Sequence, residues 1–65
     1  MYPNINAELA RHGMQKYELA NRLNINRKTL GKWLNNGCIP AHALVKMSEI
    51  FGVSTDYLLG RENVN

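Results

Sequence analysis

Apolar side chains recur along this chain at three- and four-residue steps, the period of an α-helix, and no stretch alternates as a half-buried strand would. Ile5 and Leu9 stack four apart and Gly13 follows as a stop, which predicts a first helix over 4–12 with Asn4 as its N-cap after Pro3. Met14 reads as a core residue in the connection. Leu19, Ala20 and Leu23 form one face of a second helix over 16–23. Gln15 stands at its start and Glu18 in its first turn, where a negative charge suits the helix dipole. Asn24 occupies a place that needs a left-handed backbone, which Asn tolerates better than most non-glycine residues, and Ile25 plugs the turn into the core. Asn26 is a strong N-cap for a third helix over 27–35.

That third helix divides its side chains. At about 100° per residue, Arg27, Lys28, Gly31, Lys32 and Asn35 fall on one side and Leu30, Trp33 and Leu34 on the other, their centres about 140° apart. Gly31 is costly there, by about 1 kcal/mol relative to alanine. It either lets the backbone approach a partner's surface closely, or marks a tolerant exposed site, and the second reading is the simpler. Residues 36–40, Asn36-Gly37-Cys38-Ile39-Pro40, form a turn with Gly at a helix exit and Pro leading into the next helix.

A fourth helix over 41–51 carries Leu44, Met47, Ser48 and Phe51 inward; Gly52 ends it and Val53 packs inward. Ser54 caps a short fifth helix over 55–59, with Asp56 in its first turn and Leu58 buried, and Gly60 closes the fold. Residues 61–65 read as a frayed tail. The expected fold is all-α: one compact five-helix domain over 1–65, with its core within about 4–60 and helices 2 and 3 joined by a tight turn. Its expected core is Leu9, Leu19, Ala20, Leu23, Ile25, Leu30, Trp33, Leu44, Met47, Phe51, Val53 and Leu58.

Composition narrows the chemistry. Sixty-five residues allow one domain. A single cysteine permits neither an intramolecular disulfide nor a Cys-based zinc site, and His12 and His42 lie far from metal-ligand spacing, so neither metal nor cofactor is expected. The reducing cytoplasm is the natural compartment. No apolar run approaches the roughly 20 residues of a membrane span, and the amino terminus lacks a signal-peptide pattern. No nucleophile–base pair and no phosphate-binding glycine loop is present, so an enzyme is not expected, and no small-molecule ligand is evident. Cys38 reads as a plain loop thiol, His42 as a surface histidine and His12 as part of the first helix's polar face.

Net charge is +3, concentrated in one window. Lys16, Arg22, Arg27, Lys28 and Lys32 share residues 16–32 with one acid, Glu18, so that window is +4 and the remainder −1. A local basic field points to a polyanionic partner, although on charge alone a solvated helical face explains it equally well.

The run KYELANRLNINRKTLGKWLNNG, residues 16–37, resembles the helix-turn-helix of the phage repressor and Cro family, also called the XRE family. Leu19-Ala20, Asn24, Ile25, Asn26, Trp33 and Asn36-Gly37 take the places of that family's Leu-Ala pair, turn residue, aliphatic plug, cap, closing core residue and exit. LVKMSEIFGVSTDYLLG, residues 44–60, is similar to the family's closing segment. The resemblance covers about residues 5–60. It implies a lambda-repressor-like fold and a sequence-specific DNA-binding transcriptional regulator, a repressor of phage, mobile-element or bacterial origin. It implies base contacts from Arg27, Lys28 and Lys32, and phosphate or secondary contacts from Gln15, Lys16, Asn26, Thr29, Asn35 and Asn36. The implied partner is double-stranded DNA carrying a pseudo-palindromic operator, bound by a homodimer that forms either in solution or only on DNA. The chain ends soon after the fifth helix, so a dimer is expected to form through the domain itself, with Tyr57 and Leu59 as its candidate surface.

This chain departs from the family pattern in three places. Leu9 and Leu34 stand where many members pair an Arg with a Glu, which predicts an apolar Leu9–Leu34 contact. Lys16 stands where Gln is common, and the exit turn holding Cys38 is about one residue longer. The alternative reading is a protein-interaction module on the same scaffold, an antitoxin or a repressor-binding partner. RNA binding is a third, but no exposed aromatic platform is evident.

Overall fold

Pro3, whose fixed φ suits the first turn of a helix, opens α1 (Pro3–Arg11). The computed structural model describes residues 2–61. The expected tail therefore lies, apart from Arg61, outside the described residues. After α1 come α2 (Lys16–Arg22), α3 (Arg27–Asn36), α4 (Ala41–Phe51) and α5 (Thr55–Leu58), with no strand among the described residues. The all-α reading holds, and α4 begins and ends where the sequence places it. The other helices shift by a residue at one or both ends, within the fraying expected of helix termini.

The start of α1 needs a larger correction. Tyr2, not Asn4, is the N-cap, and it is buried, because Pro3 has no N–H to satisfy and begins the helix itself. Asn4 instead ties α1 to α5, its Nδ2 donating to the Tyr57 carbonyl at 2.6 Å.

The core gathers Tyr2, Ile5 and Leu9 of the first helix region, Leu19 and Ala20 of α2, Leu30 and Leu34 of α3, Leu44, Met47 and Phe51 of α4, and Leu58 of α5. Leu9 and Leu34 are both buried in this one cluster, so the positions that carry an ion pair in many relatives are apolar together and strand no charge. Leu23, Ile25, Trp33 and Val53 differ from expectation. They pack against the cluster but remain half-buried, because no further element among the described residues covers their outer surfaces. Ser48 is not a core residue either: it is half-buried and its hydroxyl donates to the Val45 carbonyl at 2.7 Å.

One charged side chain lies inside. Glu8 is 4% exposed, facing the α1–α5 seam. Its Oε1 accepts from Arg11 at 2.7 Å and lies 3.5 Å from His12 Nε2, while its Oε2 accepts from the Tyr57 hydroxyl at 3.1 Å. The Arg11 guanidinium holds the Glu8 carboxyl below its ordinary range, against the opposing effect of burial. His12 does more than furnish a polar face: its ring sits 5.4 Å from that of Phe51.

Candidate nucleic-acid interface

The turn between α2 and α3 fixes the outward helix. Asn24 adopts φ 59°, the left-handed region. That conformation lets the Asn24 N–H reach the Asn21 carbonyl at 3.1 Å and the Ile25 N–H reach the Ala20 carbonyl at 3.0 Å. The paired bonds are a Schellman closure, which satisfies two of the last carbonyls of α2 and ends that helix. Ile25 then packs against the core, and α2 lies against α3.

Asn26 caps α3 as its sequence predicts: its Oδ1 accepts from the Thr29 N–H at 2.8 Å. Leu30 and Leu34 seat the helix on the core. Arg27, Lys28 and Lys32 are all exposed; at about 100° per residue Lys28 and Lys32 point away from the buried pair, while Arg27 borders it at the helix's first turn. Among the described residues the ion pairs are those of Glu8, so these three cations carry no carboxylate partner and project an unneutralised field. Gly31 lies among them with open space where a Cβ would point.

The remaining expected contacts divide by position. Gln15 and Lys16 are exposed at the start of α2, where the Gln15 N–H donates to Glu18 Oε1 at 2.8 Å. Asn35 and Asn36 are exposed at the end of α3, and Asn36 lies inside that helix, which Gly37 terminates with φ 76°. Thr29 is half-buried, and the side-chain oxygen of Asn26 is already used by the cap, so Asn26 has its Nδ2 to offer a phosphate. Tyr17 is exposed beside Lys16.

A profile of helix-turn-helix domains matches residues 5–58, most of the chain. The chain belongs to the helix-turn-helix family. Its five-helix fold and the α2–α3 pair that carries the cations follow the family's arrangement. The chain is similar to Repressor protein CI of Enterobacteria phage phi80, with 35% identity over 54 residues, covering 83% of this chain and 23% of that protein. This helix-turn-helix chain therefore spans about a quarter of the length of that relative. No solved structure gives a significant match.

Sequence reasoning missed two groups. Glu8 could have been noticed, since it lies three residues from Ile5 on the same helical side, with Arg11 three further on. The basic side chains Arg22, His42 and Lys46 carry no such signal as a group: they come from two helices and gather around one cleft only in the folded chain.

Proposed function

We propose that this chain is a sequence-specific DNA-binding transcriptional repressor that places α3 in the major groove of an operator half-site. The observation that carries the proposal is the outward side of α3, where Arg27, Lys28 and Lys32 stand exposed, with no ion-pair partner among the described residues, on a capped, firmly seated helix. Arg and Lys donate to guanine O6 and N7, which gives that side a means of reading sequence. Gln15, Lys16, Asn26, Thr29, Asn35 and Asn36 flank it and set register on the sugar-phosphate walls. Association is steep in salt, since each neutralised phosphate releases counterions.

The likeness to a protein named a phage repressor supports the regulatory reading over a protein-interaction module. The operator is pseudo-palindromic and the chain pairs on it as a homodimer, in the bacterial cytoplasm. Tyr57 is a weaker dimer candidate than its sequence position implies, because its hydroxyl is engaged by Glu8 and it packs against the core.

The test is selection of bound sequences from random duplex DNA, repeated with a Lys28→Ala, Lys32→Ala double variant. An enriched inverted repeat that the variant no longer recovers is expected, and its spacing gives the dimer geometry. Binding without any enriched sequence would reject specific readout and bring the protein-partner reading forward.

A further inference from the structure

Beside α3, away from its cationic side, the fold leaves a cleft of about 310 Å³ between the end of α2, the turn and α4. Leu23, Ile25, Trp33 and Ala43 line it with apolar surface. Arg22 stands on one flank, and His42 and Lys46, one helical turn apart on α4, on the other; all three are exposed. No carboxylate lines the cleft, and neither Arg22 nor Lys46 has an acid within ion-pair distance among the described residues. Three half-buried apolar residues are thus left facing solvent inside a fence of unneutralised positive charge.

We infer that this cleft is a docking site for an acidic amphipathic segment of a partner protein, which buries one bulky apolar side chain against Trp33 and sets its carboxylates on Arg22, Lys46 and His42. The volume lies at the lower limit for small-molecule pockets, roughly 300–1,000 Å³, and suits one anchoring side chain better than a whole ligand. Interfaces commonly take most of their affinity from such an anchor, with charges on the rim selecting the partner and speeding its approach. Duplex DNA matches the rim but not the floor, since its charged phosphates and small deoxyribose rings offer no bulky apolar side chain to fill the space beside the indole.

Position makes the site independent of the proposed DNA contacts. Trp33 lies about 140° around α3 from Lys28. A segment seated on the indole therefore leaves Arg27, Lys28 and Lys32 free, and the chain holds DNA and the partner at once.

Trp33 is the sole tryptophan, so its emission reports directly on the cleft. The protein is titrated with a short synthetic peptide carrying one central phenylalanine between aspartate-rich arms, alone and with duplex DNA present. A saturable change in Trp33 emission is expected, lost when the phenylalanine is replaced by alanine and unaffected by DNA. Arg22→Glu with Lys46→Glu weakens binding by about tenfold or more, since two exposed attractions become repulsions. Replacing the peptide's aspartates by asparagine on the unaltered protein does the same, which keeps the test decisive should the double variant fail to fold. No saturable change, equal binding of the asparagine peptide, or displacement of the peptide by DNA would each overturn the inference; the last would make the cleft part of the nucleic-acid surface.

Discussion

The Tyr57 hydroxyl donates to the buried Glu8 carboxylate at 3.1 Å, joining the last helix to the first across 49 residues of chain. Asn4 reinforces the same seam from the opposite direction, its amide bonded to the Tyr57 carbonyl. Tyr57→Phe keeps the ring and removes the donor, leaving a nearly inaccessible carboxylate with one partner fewer. The expected cost is about 1–2 kcal/mol, or a fall in Tm of several degrees for a domain this small, read by thermal denaturation. A melting curve unchanged by Tyr57→Phe would show that Glu8 is sustained within α1 and its C-cap, by Arg11 and His12, without Tyr57.

The same carboxylate makes stability depend on pH. Arg11, foremost, and Tyr57 hold the folded-state pKa of Glu8 below its ordinary value. A depressed carboxylate pKa stabilises the folded state above the unfolded-state value, near 4.5, and that contribution is lost as pH falls through the lower folded value. Urea denaturation of the natural protein is therefore expected to show stability declining below about pH 4.5, and Glu8→Gln should flatten the decline. The Arg11 side chain is 61% exposed, so added salt should weaken the effect.

Asn24 is expected to tolerate glycine and reject branched side chains. Its φ of 59° is one that Gly adopts freely and Val does not. Asn24→Gly should alter stability by no more than about 0.5 kcal/mol, whereas Asn24→Val should cost about 1–2 kcal/mol and loosen the angle at which α3 is presented. Chemical denaturation of the two variants distinguishes them, and equal stability would contradict the role of the Schellman closure.

Gly31→Ala should stabilise the protein. A Cβ at that position meets nothing within 4 Å, so the usual mid-helix penalty of glycine, up to about 1 kcal/mol, is recovered without strain. A rise of several degrees in Tm is the expected outcome. Pairing this measurement with DNA affinity separates the two readings of Gly31. Unchanged affinity marks a tolerant site, and weakened affinity in a more stable protein marks a backbone that must approach the groove.

The features legible in the sequence by itself are those decided within one or two turns of chain. Apolar spacing near 3.6 set the helices, because an amphipathic side must recur at that period to reach one core. Asn26 and Ser54 were recognisable as caps because each bonds an N–H three residues away. Asn24 was recognisable as the turn residue because few side chains accept a left-handed backbone. The division of α3 into cationic and apolar sides follows from the same local period. What the tertiary structure alone decided concerns which surfaces are covered. Leu34 is buried while Trp33, its neighbour and the larger side chain, stays half-open, because coverage depends on whether another helix passes over a side chain and not on that side chain's own hydrophobicity. Glu8 lies inside because α5 brings it a donor from 49 residues away, and Arg22 and Lys46 line one cleft because the fold sets the end of α2 and the face of α4 around it. Long-range packing completes both: the spacing of Ile5, Glu8 and Arg11 places Glu8 on the inward side of its helix, but no local pattern brings it Tyr57 or joins Arg22 to Lys46 at one cleft.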